Sequence, residues 1–195
     1  MNDETIRRLN VGCGRSILQG WINLDRQLLP GVDVVADLDD CSVTPLPMES
    51  DSVDEFLLSH VIEHIRNPLP LMQELHRIAR PDAKAVIRVP YGSSDGAWCD
   101  PTHVRPYFLG SVNYFSQPYY WRADYGYRGD WRPIETILTM QKGPYGDLTW
   151  PELMDKVNDG RNTVHEMICT LGAVKPIRAP LRNLQSWAKL RIEFF

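Results

Sequence analysis

Arg7-Arg8-Leu9-Asn10-Val11-Gly12-Cys13-Gly14 decides the fold: a short apolar strand breaks into a glycine turn, the opening of a strand-turn-helix unit. A second strand comes at once in Trp21-Ile22-Asn23-Leu24-Asp25, and Val32-Asp33-Val34-Val35-Ala36-Asp37 repeats its form. Short β-rich runs that end in an acid predict strands buried on both faces, with polar groups emerging at their carboxyl ends, as in a parallel sheet.

Residues 53–59 read as a fourth strand. Leu69 to Arg80 carries apolar residues at 69, 71, 72, 75, 78 and 79, a helical stripe. Pro68 and Pro70 suit its start and Pro81-Asp82 its end. Ala83 to Pro90 is then the fifth strand. Five strands with crossovers on both faces predict an α/β, doubly wound, Rossmann-like sheet, mostly parallel, whose ligands bind outside the carboxyl ends of the strands at the switch point.

Beyond Pro90 the periodicity stops. Of the 19 aromatic residues of the chain, 12 lie between Tyr91 and Trp131, among Gly, Pro, Asp and Arg. A long aperiodic segment inside a domain reads as a lid or binding loop, or as a structural insertion. Pro133 to Met140 and Val164 to Ile177 are strand candidates, with a short helix near Glu152 to Val157, and they close the sheet as a C-terminal antiparallel pair. The 195 residues read as one domain, with the segment at 91–131 and a basic tail at about 178–195 as its special parts.

Composition narrows the function. A net charge of −4 gives no general attraction to a phosphate backbone, so nucleic acid is not the expected partner. No apolar run approaches a membrane span, the amino terminus lacks a secretory signal, and a cytoplasmic location is expected. Cys13, Cys41, Cys99 and Cys169 are scattered and read as free thiols. From Lys175 to Phe195 there are five basic residues against the single acid Glu193. With Leu184, Trp187, Leu190, Ile192 and Phe194 they suggest a docked terminal helix or a dimer contact rather than a membrane surface.

The turn at Gly12-Cys13-Gly14 lets a ligand approach the backbone, though a GxG after a strand is as often a tight turn. A dinucleotide site wants a third glycine where this chain has Arg15-Ser16-Ile17, which disfavours a nicotinamide-dependent oxidoreductase. The order of the segments downstream of the turn is more specific: Asp25 ending the second strand, Asp37-Leu38 the third, then Pro45-Leu46-Pro47-Met48, Asp51-Ser52-Val53-Asp54, Ser59-His60-Val61-Ile62-Glu63-His64 and the Leu75 to Pro81 helix end.

This series, over about residues 8 to 90, resembles the class I S-adenosylmethionine-dependent methyltransferases. The resemblance implies S-adenosyl-L-methionine as cofactor, with S-adenosyl-L-homocysteine as product. It implies Asn10, Gly12, Cys13 and Gly14 against the methionine part of the donor, Asp25 on the ribose, Asp37 and Leu38 at the adenine, and Ser59 and His60 near the sulfonium. The ten residues between Gly14 and Asp25 are too few for a full crossover helix.

His60 and His64 are spaced i, i+4 around Glu63, but a two-histidine metal motif needs further ligands, and no metal is expected; His64 reads as a buried, hydrogen-bonded residue. Cys99-Asp100-Pro101-Thr102-His103-Val104-Arg105-Pro106 lies just past the fifth strand, where an acceptor enters, and a comparable Asp-x-Thr-His-x-Arg stretch occurs in relatives. His103 is the candidate general base with Asp100 as its orienter, or the two hold the loop through its own backbone. Tyr107, Phe108, Tyr114, Phe115, Tyr119, Tyr120 and Trp121 form an acceptor pocket or pack the segment itself. The expected function is methyl transfer to an oxygen or nitrogen of a small-molecule or glycan-like acceptor. The alternative is a non-catalytic donor-binding or assembly protein that keeps the fold.

Overall fold

The computed structural model describes residues 6–195. Among them are eight strands: β1 (Arg8–Val11), β2 (Ile22–Asp25), β3 (Val34–Val35), β4 (Val53–Ser59), β5 (Ala79–Pro90), β6 (Trp131–Met140), β7 (Val164–Ala173) and β8 (Lys189–Phe194). They form one sheet in the order β3-β2-β1-β4-β5-β7-β6-β8. The strands from β3 to β5 run parallel, while β7 is antiparallel to both β5 and β6. Chain order reverses between β1 and β4, so the switch point opens beyond Val11 and Ser59. The expected fold class is present.

Helices among the described residues are fewer than a doubly wound sheet leads one to expect: α1 (Pro68–Ile78), the single turn α2 (Lys142–Tyr145) and α3 (Trp150–Asp159), besides short 3-10 turns. Pro68 occupies the first turn of α1, where a missing N–H costs nothing, and Leu71, Met72, Leu75 and Ile78 are fully buried on its inner face. Trp131 anchors that helix, its indole donating to Met72 O at 2.8 Å and its ring meeting Phe56 edge-on at 5.7 Å. α3 starts with a capping box between Thr149 and Glu152.

No helix joins β1 to β2, and side-chain amides satisfy that loop's backbone instead. Asn10 Nδ2 donates to Ser16 O (2.8 Å) and Asn23 Oδ1 (3.0 Å), while Asn23 Oδ1 accepts from Leu18 N and its Nδ2 donates to Leu18 O.

The tail and the aromatic segment both depart from expectation. The tail is not a docked helix: β8 pairs in parallel with β6 at the sheet edge, setting Leu190 and Ile192 against the core. The aromatic segment is more than a cover, since Tyr107, Tyr127 and Trp131 are among the most buried residues of the core. Its end is fixed by Asp130, fully buried, which accepts from Arg178 N, Nε and Nη2 at 2.8–3.0 Å and from Gln117 N at 3.2 Å.

Candidate active site

At the end of β1 the backbone turns left-handed, with φ +65° at Gly12 and +51° at Gly14. A Cβ on Gly12 would stand 2.7 and 2.8 Å from the two γ-carbons of Val61, so both conformation and space demand glycine there. Asp25, at the end of β2, clamps this turn: its Oδ2 accepts from Gly14 N at 2.8 Å and its Oδ1 from Gln27 N at 3.0 Å. A carboxylate has about four lone-pair positions, so each oxygen keeps one for a ligand hydroxyl. Asp37 caps the 3-10 turn at Leu38–Asp40 by accepting from Asp39 N.

These elements enclose a cleft of about 530 Å³, lined by Gly12, Asp25, Arg26, Asp37, Leu38, Asp39, His60, Val61, His64, Ile65, Arg66, Pro101, Thr102 and Val104. The volume lies within the ~300–1,000 Å³ typical of ligand pockets. Gly12, Asp25, Asp37, Leu38 and His60 are thus brought together as the sequence suggested. Asn10, Cys13, Gly14 and Ser59 do not line it: Asn10 ties the loop, and Cys13 is buried, with burial first and then the Asp25 charge raising its thiol pKa.

His60 comes directly after β4 with φ +54°, a conformation uncommon for a residue with a side chain. It is held by its own N–H on Arg88 O at 2.9 Å and by Nε2 on Glu166 Oε1 at 2.8 Å. The hydrogen bond to Glu166, then the nearby Glu63 carboxylate, raises the His60 pKa to about 9 against the effect of burial. Glu166 reaches in from β7, its other oxygen accepting from Arg88 Nη2 at 2.6 Å; burial pushes its carboxyl pKa up, but His60 and Arg88 outweigh that and lower it.

Glu63 is the unusual member. Its side chain is 2% exposed, neither carboxylate oxygen has a hydrogen-bond partner among the described residues, and Oε1 only approaches His60 Nδ1, at 3.4 Å and poorly aligned. Beside it the His64 and His103 rings meet edge-on at 4.6 Å, and one ligand atom from each of Glu63, His64 and His103 lies within 4.8 Å of the others.

The pairing expected of Asp100 and His103 takes another form. An orienting carboxylate accepts the Nδ1 proton while Nε2 works. Here Ala97 O holds His103 Nδ1 at 3.2 Å, and Asp100 Oδ2 stands 4.0 Å from Nε2. Asp100 is instead engaged by Thr102, through N–H at 2.8 Å and Oγ at 2.6 Å, and Thr102 Oγ meets His64 Nδ1 at 2.9 Å.

A second cleft of about 370 Å³ lies between Asn67, Pro68, Leu69, Arg105, Pro106 and the aromatic segment. Tyr107, Tyr114, Phe115 and Tyr120 line it, joined by Tyr125; Phe108, Tyr119 and Trp121 do not. Sequence reasoning did not single out Arg26, Asp39, Arg66 and Glu166. Glu166 had one signal, an acid within the apolar run Val164 to Cys169.

The methyltransferase domain family matches residues 9–87. No curated protein sequence matches the chain. Among solved structures, a SAM-dependent methyltransferase from Archaeoglobus fulgidus is 16% identical, with TM-score 0.62 over 87% of this chain and 86% of the other. One from Aquifex aeolicus is 14% identical, with TM-score 0.51 over 88% and 84%. The 1,6-didemethyltoxoflavin-N1-methyltransferase of Burkholderia thailandensis, solved with S-adenosylhomocysteine, is 14% identical, with TM-score 0.52 over 86% and 71%. At such identities the likeness is one of fold.

Proposed function

From the match of residues 9–87 to the methyltransferase domain family and a fold shared with S-adenosylmethionine-dependent methyltransferases, we propose that this chain is an S-adenosylmethionine-dependent enzyme that transfers the donor's methyl group to an oxygen or nitrogen of a small-molecule or glycan-like acceptor. The observation that carries the reading is the convergence of Gly12, Asp25 and Asp37, each just beyond or at the end of a parallel strand, on one cleft at the switch point.

In this reading the bare backbone at Gly12 admits the methionine part of the donor, with Asn10, Cys13 and Gly14 shaping the turn from behind. The free acceptor positions on Asp25 take the ribose hydroxyls. Leu38 supplies an apolar face and Asp37 an acceptor for the adenine. His60, which follows Ser59 at the end of β4, bounds the far end, near the sulfonium. The donor brings an electrophilic methyl carbon on a cationic sulfur, so the protein's task is to position an acceptor atom in line with it and to exclude water. The acceptor enters on the side of Thr102 and His103, and the tyrosine-lined second cleft offers faces on which a planar or sugar ring stacks.

The test is transfer of labelled methyl from the donor to a panel of sugars, phenols, amines and nucleosides by the full chain. Label is expected in one class, and His103→Ala is expected to lower turnover by about 10²–10⁴, the span for loss of a positioned proton-transfer group, with donor affinity kept. A folded, donor-loaded protein that labels nothing in the panel or in a lysate extract would favour the non-catalytic binding protein.

A further inference from the structure

We propose that Glu63, His64 and His103 form a binding site for a first-row divalent cation beside the donor cleft, which His64 lines, and that its open coordination positions take a hydroxyl oxygen of the acceptor. The role assigned to the acceptor rests on the methyltransferase reading above; the metal site itself does not.

The Glu63 carboxylate is 2% exposed, and both its oxygens lack hydrogen-bond partners among the described residues. An ionised group buried in this way is strongly destabilising unless an opposite charge compensates it. His60 Nδ1 gives it only a long charge contact, at 3.4 Å and without a hydrogen bond, so both carboxylate oxygens keep their lone pairs.

The two histidines are held in a ligating state. Thr102 Oγ donates its only proton to Asp100, which as a carboxylate can only accept; Thr102 Oγ therefore accepts from His64 Nδ1–H. His103 Nδ1 faces the carbonyl of Ala97, which likewise fixes the proton on Nδ1. Both rings then carry their lone pair on Nε2. An outer N–H bonded to a carbonyl, or to a carboxylate through a hydroxyl, is the arrangement that orients metal-ligating imidazoles.

Geometry and access agree. One ligand atom from each residue lies within 4.8 Å of the others, so small side-chain rotations close the three around one cation with bonds of about 2.0–2.2 Å. Two imidazoles and one carboxylate suit zinc, manganese, iron, cobalt or nickel, and a three-ligand set leaves positions open. His64 and Thr102 line the donor cleft, so the open side faces the methyl donor. A hydroxyl there, polarised by the cation, loses its proton to solvent, and His103 then serves as a ligand and not as the proton-transfer group. Its oxygen lone pair forms the new bond to the methyl carbon, and the carbon–sulfur bond breaks with its electrons staying on sulfur. This narrows the acceptor to an alcohol or phenol.

The experiment uses the full chain stripped with a chelator and titrated with Co²⁺ alone, read by visible absorption and by metal content after dialysis. About one equivalent per chain is expected, displaced by Zn²⁺. Glu63→Gln, His64→Ala and His103→Ala are each expected to lose it, whereas His165→Ala, at an exposed histidine outside the cluster, keeps it. Thr102→Val, which removes only the link from His64 to Asp100, is expected to weaken binding about 10–100-fold. Circular dichroism and S-adenosylhomocysteine binding report folding for each variant, and if Glu63→Gln fails to fold, His103→Ala decides. Absence of a bound equivalent, or binding unchanged in a folded His103→Ala, overturns the proposal. A protein that binds S-adenosylhomocysteine but not Co²⁺ would remove the metal site and leave the methyltransferase reading intact; the converse would do the opposite.

Discussion

Gly12→Ala and Gly14→Ala separate two reasons for a glycine. Both positions have left-handed backbone, at φ +65° and +51°, which costs a residue with a Cβ about 1–2 kcal/mol. Both substitutions also restrict the unfolded chain to the same degree. They differ in what the new methyl meets: at Gly14 nothing lies within 4 Å, at Gly12 the Val61 γ-carbons lie at 2.7 and 2.8 Å. Val61 is buried and joins His60 to Ile62, so it has little room to retreat. Overpacking of this kind adds about 1–3 kcal/mol. Gly14→Ala is therefore expected to cost about 1–2 kcal/mol and Gly12→Ala about 2–5, the conformational and packing costs together. Urea unfolding followed by tryptophan fluorescence measures both. The clash is isolated by a double-mutant cycle with Val61→Ala, which removes the two γ-carbons and is expected to restore most of the difference. Calorimetry with S-adenosylhomocysteine should show donor affinity falling with Gly12→Ala in parallel, since a displaced Val61 narrows the cleft both residues line. Equal costs at the two glycines, or no coupling between Gly12 and Val61, would refute the reasoning.

Arg178→Ala leaves Asp130, fully buried, without its main cation and is expected to destabilise the fold by about 3–5 kcal/mol, read by urea unfolding. Protease cleavage between Tyr91 and Trp131 should rise with it, since Asp130 also holds Gln117 N; a loss under about 1 kcal/mol would show the ion pair to be dispensable. His76 is buried with Nε2 donating to Val174 O, and burial lowers its pKa below the ordinary 6.5. The unfolded chain then binds the proton more readily, so the contribution of His76 is intact above pH 6.5 and declines as pH falls below it. His76→Gln should flatten the pH dependence of stability in that acid window, and a slope unchanged by the substitution would contradict the assignment.

The parts of this molecule legible in its sequence are those fixed by local chemistry. The glycines at 12 and 14 announce left-handed turns and the acid at 25 closes a short apolar strand, as expected; β3 is only Val34–Val35, two residues short of Asp37, and the stripe read from Leu69 to Arg80 is helical only to Ile78, because Ala79 to Asp82, Pro81 included, join β5. The tail was legible too, because Leu190, Ile192 and Phe194 alternate with charged residues at the period of a strand, and its basic content suggested a helix instead. What the sequence withheld was partnership across distance. The short spacing from Gly14 to Asp25 signals a missing crossover helix, but only the fold shows that the Asn10 amide closes the loop there with Asn23. Glu166 lies 106 residues from His60, and Ala97 O rather than Asp100 fixes His103. No spacing rule encodes such pairs, because tertiary packing chooses them.

The most direct test of the central claim is a calorimetric titration of the full chain with S-adenosylhomocysteine and, separately, with NAD. S-adenosylhomocysteine is expected to bind at a dissociation constant of about 1 µM, equivalent to about −8.2 kcal/mol. Asp25→Ala, which removes charged acceptors from the ribose, is expected to weaken this by about 1.5–3 kcal/mol, or roughly ten- to hundred-fold, while NAD gives no binding heat. Tight NAD binding with no response to S-adenosylhomocysteine, or an Asp25→Ala protein that binds the donor product as well as the native chain does, would contradict the account.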